Sequence, residues 1–167
     1  MPIILITGGA RSGKSTRAEM RARDFAGKPV YIATAEGFDQ EMRDRIAKHR
    51  ARRRDEWIEH ETPLELVPAL NATDGGGARL IECLTLWLSN LMHAERNWER
   101  ETADLVEALR KQRSPVVLVT NEVGSGIVPD NALAREFRDA AGRINQMIAG
   151  AADEVEYVVA GLPMRVK

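Results

Sequence analysis

The chain has 167 residues, 44% of them hydrophobic, and its 24 Lys+Arg against 25 Asp+Glu leave a formal net charge of -1. That length can bury one good core, so residues 1–167 are expected to form a single domain, and the balanced charge excludes the global basic field that drives non-specific nucleic-acid binding. The single cysteine, Cys83, cannot form an internal disulfide, and no stretch has the length of a membrane span or the layout of a signal peptide, which points to a cytoplasmic enzyme.

Ile3-Ile4-Leu5-Ile6-Thr7 is a short apolar strand that runs into Gly8-Gly9-Ala10-Arg11-Ser12-Gly13-Lys14-Ser15, a G-x-x-x-x-G-K-S P-loop. Its glycines let the backbone wrap a di- or triphosphate, so that N–H groups and the positive end of the next helix meet the phosphate oxygens. Lys14 supplies a mobile charge, and Ser15 is placed to put its hydroxyl on the Mg²⁺ that bridges the terminal phosphates. The motif falls after a buried strand and before a helical pattern over Thr16 to Phe25, where a phosphate cradle belongs.

Gly27-Lys28-Pro29 punctuates the chain, and Val30-Tyr31-Ile32-Ala33 reads as a second buried strand ending at Thr34-Ala35. From Phe38 the pattern is helical: Phe38, Met42 and Ile46 form a stripe that reaches His49. Trp57-Ile58 closes this segment. Pro63 to Leu70 reads as a short helix, and Asn71 to Ala78, with three consecutive glycines, as a loop. Arg79-Leu80-Ile81 is a short strand that delivers Glu82 at its C-terminal end. Helices are expected over Leu84–Met92 and Thr102–Leu109, while polar Ala94 to Arg100 fits either a bend or an exposed helix. Pro115 to Thr120 is an unalternating apolar strand, covered on both faces, that ends in Asn121-Glu122 and a glycine-bearing loop. Pro129-Asp130-Asn131 then opens a long amphipathic helix, Glu154 to Val159 is the last main strand, and Gly161 to Met164 turns back along an edge. The expected fold is therefore α/β: a P-loop NTPase-like open, mostly parallel sheet with helices on both faces, whose ligands gather beyond the C-terminal strand ends.

An acid at the end of an apolar strand suits Mg²⁺ in such a fold, which makes Glu82 the first candidate and Glu122 a weaker one. Between Arg43 and Arg54 stand seven basic residues and one acid, a local charge of +6 that suits a polyphosphate or an acidic partner, a solvated helix face or a nucleic-acid patch being the alternatives. No aromatic residue is interleaved there to stack bases, which argues against single-stranded nucleic acid. His49 ends an apolar stripe inside this cluster, where cations favour neutral imidazole; its spacing alone fits a structural histidine as well as a nucleophile. His60 and His93 read as structural or surface residues, and no histidine or cysteine spacing resembles a metal site.

These motifs together resemble a specific family. The P-loop, Tyr31 to Ala35, Glu41-Met42, Arg45-Ile46, His49-Arg50, Arg53, Trp57, Glu82-Cys83-Leu84-Thr85 and above all Val119-Thr120-Asn121-Glu122-Val123-Gly124-Ser125-Gly126-Ile127-Val128-Pro129 resemble the bifunctional adenosylcobinamide kinase / adenosylcobinamide-phosphate guanylyltransferases of cobalamin biosynthesis. The resemblance implies two reactions, phosphorylation of the aminopropanol hydroxyl of adenosylcobinamide by ATP or GTP and then transfer of GMP from GTP. It implies that a histidine carries GMP covalently, at the position of His49, and that nucleotide is bound by Gly8 through Ser15, Ala33, Thr34, Ala35, Arg50, Ala51, Arg52, Arg53, Glu61 and Glu82. It also implies Mg²⁺, a corrinoid partner and a homotrimer. Arg54 stands where the family usually has proline, and Glu82 where aspartate is frequent. The rival readings are a monofunctional small-molecule P-loop kinase and a GTP-dependent switch; the chain has no N-K-x-D base-reading motif for the latter.

Overall fold

The computed structural model describes residues 1–36 and 56–167. Seven strands form one sheet in the order β3-β2-β4-β5-β1-β6-β7. They are β1 (Ile3–Gly8), β2 (Val30–Ala33), β3 (Ile58–Glu61), β4 (Arg79–Glu82), β5 (Val116–Val119), β6 (Glu154–Val159) and β7 (Leu162–Arg165). All neighbours are parallel except β6 and β7, which form an antiparallel hairpin at one edge. The described helices are α1 (Lys14–Arg23), α2 (Leu66–Ala72), α3 (Leu84–His93), α4 (Trp98–Lys111) and α5 (Ala132–Ala151).

Apolar strands without alternation bury both of their faces, and the two faces here carry separate cores. Ile3, Leu5, Val30, Ile32, Ile81, Val116 and Leu118 pack against α2 to α5. On the other side Ile4, Ile6, Tyr31, Leu80, Val117 and Val119 pack against Ala18 and Ala22 of α1. Trp57 closes this second core, edge-on to Tyr31 at 5.8 Å and under the Arg23 guanidinium at 5.4 Å.

The expected P-loop-type sheet is what the chain forms, with corrections of detail. β3 is a strand where the sequence suggested only the close of a helical segment: Ile58-Glu59-His60-Glu61 has a single apolar residue because it is an edge strand, half-buried or exposed throughout. The helix expected over Pro63–Leu70 runs instead from Leu66 to Ala72, with Pro68 in its first turn, where no intrahelical N–H is required. Ala94 to Arg100 resolves into a bend and a helix start: Glu95 takes φ 54, and Asn97 caps α4 by accepting the Arg100 N–H at 3.0 Å. The Phe38, Met42, Ile46 stripe lies outside the described residues.

Candidate nucleotide site

β1 ends at Gly8 and α1 begins at Lys14, and the loop between them is shaped by close backbone approaches. A Cβ on Gly8 would sit 2.5 Å from the Val158 carbonyl oxygen and 2.7 Å from Ser12 Oγ. Gly13 has φ 97, and a Cβ there would lie 3.1 Å from Gly161 Cα, whose own N–H donates to the Ser12 carbonyl at 2.8 Å. The loop is thus pressed against the β6–β7 turn on one side, while Gly9 faces open space. Gly13 occupies the N-cap position of α1 and has no side chain to cap it, so the positive end of the helix is left to a ligand. Lys14 is 8% exposed and folds back to donate from Nζ to the Gly9 carbonyl at 3.0 Å.

Ser15, one residue into α1, donates its hydroxyl to Glu82 Oε1 at 2.7 Å. The contact follows from register. Ala33 is level with Glu61 on one side and Glu82 on the other, and alternation turns all three toward the face that carries α1. A hydroxyl and a carboxylate in contact beside a lysine form an all-oxygen donor set of the kind a hard divalent cation uses, so these residues fit Mg²⁺. Among the described residues no group of three His, Cys, Asp or Glu could hold a metal by itself. Glu61, exposed at the end of the edge strand, is two strands from Glu82.

The same alternation turns Thr34 the other way. Its fully buried hydroxyl lies 3.0 Å from the Glu82 carbonyl and 2.8 Å from the Cys83 carbonyl, and it accepts the Cys83 N–H at 2.8 Å. Thr34 therefore fixes the turn that presents Glu82, and Asn90 of α3 holds Thr34 in turn, donating to its carbonyl at 2.8 Å and to that of Pro63 at 3.0 Å. Ala33 and Ala35 flank it, partly buried. Burial and the neighbouring Glu82 charge push the Cys83 thiol up to about 11, which removes it as a nucleophile.

Glu122 is spent on its own loop. Its carboxylate accepts the Gly124 N–H at 2.7 Å and the Ser125 N–H at 3.2 Å, and the Ser125 hydroxyl together with these donors holds it below the usual carboxylate range against partial burial. Its own N–H donates to the Gly8 carbonyl at 3.1 Å, which ties the loop to the cradle. Behind it, Thr85 accepts the Asn121 N–H at 2.8 Å, and Asn145 of α5 accepts the Thr120 hydroxyl at 2.7 Å while donating to the Asn121 carbonyl at 3.2 Å.

Sequence reasoning passed over this web, although buried Thr85 and Asn90 on the inner side of an apolar helix were a signal for it. It also passed over Glu156, 5% exposed, which receives two hydrogen bonds from Arg17 at 2.7 and 2.8 Å and a third from Arg21, and so pins α1 to β6. His49, Arg50, Ala51, Arg52, Arg53 and Arg54 lie outside the described residues. His60 pairs in register with Ile32 on β3, and His93 is exposed at the end of α3.

The sheet order, the strand-loop-helix cradle and the acid at the end of β4, one strand removed from β1, define a P-loop NTPase fold. The fold likeness extends to a prototypical ATPase from the type III secretion system of pathogenic bacteria, with a TM-score of 0.61 at 11% identity over 98% of this chain and 56% of that one. It extends also to the flagellar accessory protein FlaH from Methanocaldococcus jannaschii, with a TM-score of 0.54 at 12% identity, covering 99% of this chain and 78% of that one. The sequence goes further. Residues 4–166 match the family described as cobinamide kinase / cobinamide phosphate guanyltransferase. The chain is 44% identical to the bifunctional adenosylcobalamin biosynthesis protein CobP of Pseudomonas aeruginosa over 98% of its length and 96% of that protein's. It is 43% identical to CobU of Salmonella typhimurium, over 99% of each chain. The protein belongs to the cobinamide kinase / cobinamide phosphate guanyltransferase family, as the motifs of the sequence suggested.

Proposed function

We propose that the chain phosphorylates the aminopropanol hydroxyl of adenosylcobinamide with ATP or GTP and then transfers GMP from GTP to the product, through GMP carried on His49. The observation that carries the reading is the Lys14-Ser15-Glu82 arrangement in a chain of this family: one cradle, built to hold a polyphosphate and a divalent cation. Gly8 through Ser15 wrap the phosphates with backbone N–H groups, and Lys14 leaves the Gly9 carbonyl to neutralise charge that develops on the transferred group. Ser15 and Glu82 are the residues that would hold Mg²⁺, which when bound draws charge from the phosphate oxygens.

In the kinase step the substrate hydroxyl attacks the terminal phosphorus directly, so the protein's task is positioning and charge stabilisation. In the transferase step the His49 imidazole attacks the α-phosphorus of GTP, pyrophosphate leaves, and the phosphate oxygen of the substrate then displaces the imidazole. Arg50, Arg52 and Arg53 are suited to stabilise the α-phosphate charge, and Ala33, Ala35 and Glu61 complete the nucleotide's surroundings. Thr34 acts here through its hold on the Glu82–Cys83 turn. A cytoplasmic location and a homotrimeric state belong to the same reading; among the described residues no helix is long and apolar enough to cross a membrane.

The reading is tested by incubating the purified chain with adenosylcobinamide, Mg²⁺ and GTP and following the corrinoid by mass spectrometry. Successive gain of one phosphate and then of GMP is expected. A corrinoid that stops at the phosphate would instead identify a monofunctional kinase, and an unmodified corrinoid with GTP turnover would contradict both steps.

A further inference from the structure

Beyond the cradle the described residues line an open pocket of about 380 Å³ to which the mechanism assigns nothing. Its lining includes Met92 and His93 at the end of α3, Glu95 after it, Trp98 at the start of α4, and Leu133 and Glu136 at the start of α5. Leu133, a large apolar side chain, is 67% exposed among the described residues.

The pocket lies on the cradle's edge of the sheet. α3 leaves the C-terminal end of β4, and its Asn90 reaches the Thr34 carbonyl just beyond the end of β2. His93 is three residues later, about 4.5 Å of helix rise. α5 is reached from the loop that follows β5 and is tied to Gly8.

His93 is held in a particular form. Its Nδ1 is 2.7 Å from the Ser89 carbonyl oxygen one turn back. A carbonyl only accepts, so Nδ1 carries the proton and donates it, and in the neutral ring the lone pair belongs to Nε2. An imidazole whose other nitrogen donates to a backbone carbonyl is the arrangement that metal-binding histidines use. Around it stand apolar walls from Met92, Trp98 and Leu133, the Arg96 guanidinium, whose charge is paired with Glu65 and Glu101, and the carboxylates of Glu95 and Glu136, which can accept amide N–H groups.

A ligand matching this set has a broad apolar face, amides at its periphery and a metal with an open axial position. Cobinamide is such a ligand: it has not received a nucleotide loop, so no internal base occupies the lower face of its cobalt. We propose that this pocket receives the lower face of the corrin ring and that His93 Nε2 becomes the lower axial ligand of the cobalt. The inference rests on the proposed function and adds a site for its substrate. In the exchange a cobalt–nitrogen bond forms and a cobalt–water bond breaks, the water leaves, and the cobalt keeps its oxidation state. The ring is thereby anchored while its long aminopropanol arm extends toward the cradle.

The test is electron paramagnetic resonance of cob(II)inamide added without oxygen to the intact chain, with phosphorylation of cobinamide measured on the same preparation. Nitrogen superhyperfine splitting of the cobalt lines is expected with the wild-type chain and with His60→Ala. Its loss is expected in His93→Ala and His93→Gln, both at an exposed position where folding is not at stake. Splitting that persists in both His93 variants, or a wild-type chain that phosphorylates cobinamide but shows no nitrogen on the cobalt, would overturn the assignment and leave the kinase reading intact. A wild-type chain that neither holds nor phosphorylates cobinamide would overturn both.

Discussion

The two edges of the sheet treat buried charge in opposite ways. At the N-terminal edge Arg79 opens β4 with no exposure at all, its guanidinium 3.0 Å from Asp74 and 2.6 Å from the Gln112 side-chain oxygen. Gln112 in turn donates to Asn71 and to the Ala108 carbonyl, and Asp74 accepts the N–H groups of Arg113 and Ser114. The loops before β4 and β5 are stapled together by groups that look inward. At the C-terminal edge Lys14, buried but not sealed from solvent, touches its own loop, and the N-terminus of α1 is left without a side-chain cap. The first cluster pairs its charge within the chain and holds shape. The second keeps charge and donors where a polyphosphate can take them, which is what catalysis by electrostatic preorganisation needs.

Substitutions should therefore separate the edges. Arg79→Ala leaves Asp74 and Gln112 without the buried cation and is expected to cost about 3–5 kcal/mol of stability, read by denaturant unfolding, with turnover per folded molecule unchanged. Lys14→Ala should do the reverse, raising the barrier of both reactions by about 3 kcal/mol in steady-state kinetics while the unfolding midpoint stays near wild type. Near wild-type kinase turnover in that variant would mean that the cradle does not serve both steps. Glu82→Gln keeps the shape that accepts the Ser15 hydroxyl but removes the anion, and a Mg²⁺ titration should show the half-saturating concentration raised about tenfold, or roughly 1.4 kcal/mol.

Asp74 adds a pH test confined to the structural edge. Burial alone would raise its carboxyl, but the Arg113 and Ser114 N–H donors, the Arg113 side chain and the Arg79 charge bring it to about 2 from an ordinary 3.8. A depressed carboxylate contributes stability that is fully present above the unfolded value and is lost as pH falls through the folded one. Wild-type stability should thus drop by about 1 kcal/mol between pH 4 and pH 2 through this group, and Asp74→Asn, less stable at neutral pH, should lack that part of the slope in acid unfolding.

How far each edge is legible in the sequence follows from how its residues are distributed. The cradle is a contiguous motif after an unalternating apolar strand, and Glu82 announces itself as an acid where such a strand ends. The staple is spread over Asn71, Asp74, Arg79 and Gln112, and an arginine at a strand start gives no local sign that its partners will surround it. β3 hides for a related reason: as an edge strand it buries too little to need an apolar run. Glu122 was legible as a polar strand-end residue but not in its task, since only the folded loop shows the Gly124 and Ser125 N–H groups turned onto its carboxylate. The Thr34 nucleotide assignment came with the family resemblance, and its hydrogen bonds with the Cys83 N–H and carbonyl show that its hydroxyl holds the turn there.

One cradle at the C-terminal edge is proposed to activate GTP for capture by His49. Its most direct test is incubation of the wild-type, Lys14→Ala and His49→Ala chains with GTP labelled at the α-phosphorus, followed by denaturing electrophoresis. Label is expected on the wild-type chain alone, lost in mild acid and stable in alkali as a phosphoramidate is, with kinase activity largely kept in His49→Ala. Full labelling of either variant, or an adduct that survives acid, would contradict it.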